Sequence, residues 1–145
     1  MNIFDFDNSI NFLVNKTAQK FKVELSRRLK SSGYDLSSDQ WSVLMAVSKQ
    51  DGSSQTDLAN KLYKDRANIT RILDVLEKQL LIERRRSNID RREYNVHMTE
   101  SGKKIIPALK KEGKFIINKA LQGANEDDII IMKSFLNKMF NNLED

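Results

Sequence analysis

The sequence predicts a mainly α-helical chain that carries one small β-hairpin. Three observations lead there. Apolar residues recur at three- and four-residue spacing over most of the chain, the mark of amphipathic helices. Period-two alternation of apolar residues stands out at Tyr94, Val96 and Met98, as in a half-buried strand. Five arginines crowd into the nine positions Arg84–Arg92, just ahead of that alternation. A hairpin so charged at its tip is no core element. It meets a polyanion, or it is a solubilising surface.

The elements follow in order. Ile10, Leu13, Val14, Thr17, Phe21, Leu25 and Leu29 define a long first helix over about residues 8–31, ending before Ser31-Ser32-Gly33. Ser37 and Gln40 form a capping-box pattern, and Leu36 with Trp41 occupies the staple positions beside it, so a second helix starts there and stops at Asp51-Gly52. Ser54-Gln55-Thr56-Asp57 repeats the capping pattern ahead of Leu58, Ala59 and Leu62. Asp65 caps the next helix, whose apolar stripe is Ile69, Ile72, Leu73, Leu76 and Leu80. A helical wheel then puts Ala67, Arg71, Asp74 and Lys78 on the opposite face, with Arg66, Asn68 and Thr70 flanking it near the N-terminus. Ile82–Arg86 and Tyr94–Met98 make the hairpin. Thr99 caps a helix to about Gln122, which Pro107 should kink by removing one backbone bond. Asn125 caps a last helix, with Glu126, Asp127 and Asp128 favourable to its dipole and Ile129, Met132, Leu136, Met139, Phe140 and Leu143 as its stripe.

Helix, turn, helix and basic hairpin in that order make a winged helix-turn-helix, spanning 36–98. A helix with basic and hydrogen-bonding residues at its leading end suits the major groove of DNA. The helices over 1–32 and 100–145 exceed what such a core needs. Their apolar residues, with Ile3, Phe4 and Phe6, point to burial in a second copy of the chain.

Composition narrows the classes. The 145 residues are 39% hydrophobic and 31% charged, which suits a folded domain and excludes a disordered one. The net charge is +5, and the stretch Lys61–Arg92 holds all of it, with ten Lys/Arg against five Asp/Glu. There is no cysteine, so thiol redox sensing and thiolate metal sites are excluded. A single histidine, His97, no cysteine and no Gly-rich phosphate loop leave no catalytic constellation and no cofactor or metal site to assemble. No apolar run approaches the ~20 residues of a membrane span, and no signal-peptide pattern opens the chain. A cytoplasmic protein without a membrane role is expected.

Residues 36 to 106 resemble the MarR family of bacterial transcription regulators. The resemblance lies in Gln40-Trp41-Ser42-Val43-Leu44, Asp57-Leu58-Ala59, the helix from Asp65 to Asp74, Leu76-Glu77-Lys78, and above all the Asp-x-Arg of Asp90 and Arg92 followed by a strand and Thr99-Glu100-Ser101-Gly102. It implies a homodimer that presents one winged helix-turn-helix per subunit to a pseudo-palindromic operator, acts as a repressor, and in many members releases DNA when a small, often aromatic ligand binds. It implies that Arg92 enters the minor groove and that Asp90 holds the wing by ion pairing. One departure is Leu80, where the family usually has a glycine that accepts a left-handed backbone easily; Leu80 should end the helix differently or pack more tightly.

The DNA-binding set expected is therefore Arg66, Ala67, Asn68, Thr70, Arg71, Arg84, Arg86, Arg91 and Arg92, with Asp90 structuring the wing. Arg71 is the first choice for a base or phosphate contact, and Arg84, Arg86 and Arg91 for phosphates. Arg85 should point elsewhere, since strand neighbours alternate faces. A ligand pocket near Phe12, Lys16, Tyr34 and Trp41 is the further expectation, against a plain core role for Trp41. The alternatives are a winged helix used for protein contact and a non-specific architectural DNA-binding protein.

Overall fold

Side-chain caps set where the helices begin. In the computed structural model, which describes residues 5–144, a 3-10 turn at Phe6–Asn8 precedes α1 (Ile10–Ser31). Ile3 and Phe4 lie outside the described residues. Helix α2 (Ser38–Lys49) opens on the full capping box: Gln40 N–H donates to Ser37 Oγ at 3.1 Å and Ser37 N–H to Gln40 Oε1 at 3.0 Å. At α3 (Gln55–Lys61) only half of the expected box forms, with Asp57 N–H donating to Ser54 Oγ. Asp65 caps α4 (Arg66–Lys78), and Thr99 caps α5 (Glu100–Ala120), which continues through Pro107 as one helix. Asn125 and Asp128 close a reciprocal box at the start of α6 (Glu126–Leu143).

The hairpin is β2 (Ile82–Arg86) and β3 (Tyr94–Met98), antiparallel, with Ile82 opposite Met98 and Arg86 opposite Tyr94. A strand that the sequence did not announce, β1 (Ser53–Ser54), pairs antiparallel with the other edge of β3, giving the order β1-β3-β2. Two serines cannot show alternation. Backbone pairing alone makes the strand.

The core is one cluster. Leu25 and Leu29 of α1, Val43, Leu44 and Val47 of α2, and Leu58 of α3 meet Ile69, Leu73 and Leu76 of α4, with Ile82, Val96 and Leu109 closing it. Each such side chain contributes about 1.5–3 kcal/mol by burial. Trp41 joins α2 to α5: its Nε1–H donates to the Leu109 carbonyl at 2.8 Å, and its ring lies against Gly113. Arg28 of α1 pairs with Glu112 of α5 and stacks on Phe115, 3.7 Å from its ring centre.

The apolar stripe of α4 stops at Leu76, not at Leu80, which is 70% exposed. Leu80 also corrects the expectation about the helix end. Its φ is +62°, the left-handed conformation that glycine normally supplies. Leu80 N–H donates to Glu77 C=O at 2.9 Å and Leu81 N–H to Leu76 C=O at 3.0 Å, a Schellman closure. Thr99 Oγ1 holds the Leu80 carbonyl at 2.6 Å, and a Cβ on Gly102 would run into the Leu81 carbonyl oxygen. The turn is thus fixed from outside, and that is how the strain persists.

Helix α6 differs from the others. None of its residues is buried, and Ile130, Ile131, Met132, Phe135, Leu136, Phe140 and Leu143 are exposed. Near its end Phe140 meets Tyr63 edge-on, with ring centres 5.8 Å apart.

Candidate nucleic-acid interface

Helix α4 buries Ile69, Ile72, Leu73 and Leu76, which turns Arg66, Ala67, Arg71, Asp74 and Lys78 outward. Arg66 keeps 68% of its side chain exposed. Asn68 and Thr70 sit half-buried beside them, and Thr70 Oγ1 donates to the Arg66 carbonyl at 2.9 Å. The leading end of α4 therefore presents an exposed basic and hydrogen-bonding surface.

The wing has a built tip. Ser87 N–H donates to the Glu93 carbonyl at 2.9 Å and closes the loop, while Ser87 Oγ accepts from Ile89 and Asp90 N–H. Asp90 Oδ1 accepts from Arg92 N–H at 3.0 Å and from Arg92 Nε–H at 3.3 Å. That backbone bond to Arg92, with its side-chain bond, holds the Asp90 carboxyl below its ordinary range. Asp90 and Arg92 therefore pair within the loop, and the Arg92 side chain still stands 91% exposed. Arg86 donates to the Arg91 carbonyl at 2.8 Å and to Tyr94 Oη at 3.0 Å, which leaves it on the surface at the base of the loop beside exposed Arg91.

Arg84 departs from its expected role as a phosphate contact. Its side chain is only 18% exposed, and its guanidinium donates to Asp74 at 2.6 Å and to Glu77 at 2.9 Å, both on α4. Its own N–H also reaches Glu77 Oε2 at 2.9 Å. The Arg84 side chain and its backbone N–H hold the Glu77 carboxyl below the usual glutamate range. Burial works against the Arg84 charge, but Glu77 and Asp74 outweigh it and push its pKa up. Arg84 clamps β2 to α4 instead of facing solvent. Arg85, as expected, points elsewhere and pairs with Glu83.

Sequence reasoning missed Glu93. Its carboxylate accepts from Thr56 N–H at 3.2 Å and from Thr56 Oγ1–H at 3.0 and 3.1 Å, and lies 4.0 Å from Arg66. A glutamate after two arginines gives no signal of a partner 37 residues earlier.

The expected ligand residues do not share a cavity. Trp41 lines a cleft of about 200 Å³ with Phe21, Lys22, Leu25, Asp39, Gly113 and Ile117. Phe12 lies in the first turn of α1, its ring centre 4.8 Å from that of Phe6, with Lys16 Nζ 5.5 Å above it. Tyr34 packs on the core beyond the C-terminus of α1. Phe21, the first α1 residue on the Trp41 cleft, lies nine residues beyond Phe12 and five beyond Lys16, roughly 14 and 8 Å along the helix at 1.5 Å per residue. The larger groove between α1 and α5, about 510 Å³, is lined by Thr17, Phe21, Glu24, Arg27, Ile116 and Lys119. His97 meets Asp51 at 3.1 Å at the foot of the sheet, away from the wing tip. Among the described residues no group of His, Cys, Asp or Glu could hold a metal, and no helix is long and apolar enough to cross a membrane.

An exposed basic helix beside a basic hairpin on a three-stranded sheet defines a winged helix-turn-helix DNA-binding protein. The family model of the MarR family matches residues 36–94. The HTH-type transcriptional regulator YfiV of Bacillus subtilis is 34% identical over 88 residues, 61% of this chain and 55% of YfiV, so the match spans little more than half of that relative. The crystal structure of a MarR transcriptional regulator from Methanosarcina mazei Go1 superposes with a TM-score of 0.82 at 25% identity, covering 92% of this chain and 94% of that one. BpsR of Bordetella bronchiseptica, described as regulated in DNA binding by 6-hydroxynicotinic acid, shares the fold at a TM-score of 0.85 and 20% identity over 98% of this chain and 99% of its own. Residues 36–94 thus match the MarR family of transcription regulators, and the chain as a whole shares the fold of solved MarR-family proteins.

Proposed function

We propose that this chain is a homodimeric repressor that binds a pseudo-palindromic operator, and that it carries out no catalysis. One observation carries the reading: the free leading face of α4, with Arg66, Ala67 and Arg71, stands beside a wing whose Arg92 is 91% exposed. On this reading α4 of each subunit enters one of two successive major grooves, about 34–36 Å apart. Arg71, Arg66, Asn68 and Thr70 read or grip there, and Ala67 lets the helix approach closely. Arg92 enters a narrow A·T-rich minor groove, where the potential favours arginine. Arg86 and Arg91 lie on phosphates, which adds affinity without specificity.

The region 36–98 then reads DNA, and 1–32 with 100–145 holds two copies together. The apolar surface of α6, none of it buried within one chain, supports that division. Such a face needs cover, and two-fold homodimers are the commonest solution. A small-molecule effector fits the family pattern, and BpsR supplies an example among the neighbours in fold. The cleft beside Trp41 is the better candidate for it than the Phe12–Lys16 end of α1. A cytoplasmic location follows from the same reading.

Selection of bound duplexes from a random pool tests it, alongside light scattering of the free protein. A shared motif with half-sites about one helical turn apart and a dimer mass are expected. Survivors without a common sequence would favour the architectural or protein-contact readings, and a monomer mass would remove the homodimer.

A further inference from the structure

Two separate elements carry the DNA-facing residues, and the first turn of α3 touches both. Gln55 Nε2 reaches Thr70 Oγ1 of α4 at 3.5 Å. Thr56, the next residue, gives both its N–H and its hydroxyl to Glu93, at 3.0–3.2 Å. Glu93 closes the wing loop: its carbonyl accepts from Ser87 N–H at 2.9 Å and its N–H donates to the Asp90 carbonyl at 3.0 Å. It follows Arg92 directly, so a shift of Glu93 moves the exposed guanidinium with it. The Arg84 clamp fixes β2 to α4, but it acts on the strand below the loop. Between Ser87 and Glu93, the contact with Thr56 is the tie from the wing loop to α3.

Its chemistry suits a tie rather than a surface charge. A carboxylate turned toward a phosphate backbone would repel it. Here 21% of the Glu93 side chain is exposed, its oxygens accept from Thr56, and Arg66 stands 4.0 Å away. Hydrogen bonds to a charged acceptor are stronger than neutral ones, and these tie to α3 a loop otherwise bonded to itself and to Arg86 at its base.

We propose that Glu93 is a positioning residue for DNA recognition: through Thr56 it locks the wing at a fixed offset from the recognition helix, so that minor-groove and major-groove reading act as one unit. The inference rests on the DNA-reading assignment given above.

The test uses the full chain as wild type, Glu93→Ala and Glu93→Gln, with the selected duplex and two altered ones. One alteration replaces the A·T flank under the wing with G·C; the other changes a base pair in the half-site. Glu93→Ala should reduce flank discrimination to about twofold or less while half-site discrimination stays within about threefold of wild type. Glu93→Gln keeps an acceptor oxygen for Thr56 and should restore flank discrimination. Hydrogen exchange of the Thr56 amide in the DNA-free protein should rise about tenfold in the alanine variant and stay near wild type in the glutamine variant. If Glu93→Ala changes affinity by one factor on all three duplexes, Glu93 is only a surface charge and the lock is wrong. Unchanged Thr56 exchange overturns it as well. Wild type without any sequence preference would instead overturn the DNA-reading assignment, and the exchange experiment would still decide the lock.

Discussion

Gly113 offers the sharpest test of the packing that carries the two reading elements. A Cβ at this position of α5 would overlap Cζ2 of Trp41 and sit 2.9 Å from Cη2 and 3.2 Å from Cε2. The ring cannot step aside freely, because its Nε1–H is held by the Leu109 carbonyl at 2.8 Å. Gly113→Ala therefore costs about 1–3 kcal/mol of overpacking, and about 1 kcal/mol more if the Trp41 bond breaks. Against this, alanine improves helix propensity by about 0.8–1 kcal/mol. The net expectation is a loss of about 0–2 kcal/mol with the Trp41 bond kept and about 1–3 kcal/mol with it broken, or a fall in Tm of about 2–4 °C per kcal/mol at this size. Trp41 is the only tryptophan, so its fluorescence reports both the local shift and global unfolding in urea. The cycle with Trp41→Phe separates the causes. Phe lacks the second ring, so Gly113→Ala in that background should become neutral or stabilising, a coupling of at least about 1 kcal/mol. A stabilising Gly113→Ala in the wild-type background, with unchanged fluorescence, would refute the claim that Trp41 is pinned between α2 and α5.

Leu80→Asn should raise stability by about 0.5–1 kcal/mol in urea unfolding, because asparagine tolerates the left-handed backbone and little Leu80 burial is lost; a loss of stability would show that the exposed side chain matters more than its φ. Arg84→Met should cost about 1 kcal/mol at neutral pH, a modest figure because Glu77 and Asp74 are partly solvated. Glu77 has a lowered folded-state pKa, so its contribution is present above the ordinary glutamate value of 4.5 and lost as the pH falls through the lower folded value. The gap between wild type and Arg84→Met should accordingly narrow as the pH falls below the ordinary glutamate range, and a gap that widens in acid would contradict the clamp. Arg71→Ala should weaken specific binding by about 1–3 kcal/mol if it reads a base, whereas equal losses on every duplex in a titration would assign it to a phosphate. Arg92→Ala should cost most on sites with A·T-rich flanks, and a loss independent of flank would exclude the minor groove.

Local signals made most of this fold legible. Ser37 with Gln40, Asp65, Thr99 and Asn125 cap the helices they were expected to cap, because a cap is written within four residues. The hairpin strands run over Ile82–Arg86 and Tyr94–Met98 as expected, with Val96 and Met98 of the alternation buried and Tyr94 exposed. What stayed hidden depends on distant partners. Arg84 looked like any other wing arginine until Asp74 and Glu77 lay across from it. Glu93 needed Thr56, and β1 needed the free edge of β3. Leu80 shows the converse: propensity argued against a left-handed turn, but Thr99 and Gly102 of the next helix impose it. The four ligand candidates lie apart because Phe12 and Lys16 sit in the first turns of α1, whereas Trp41 of α2 bonds to α5 and Tyr34 packs on the core beyond the end of α1.

The Arg84 clamp also changes how the basic surface should be counted. Binding to DNA draws much of its free energy from counterions set free when cationic side chains replace them along the phosphates. Arg84 already has Asp74 and Glu77 as its counterions, within its own fold. It has no ions to displace on the duplex, so the ionic-strength dependence of operator affinity is set by the arginines and lysines around it and is shallower than the sequence count implies.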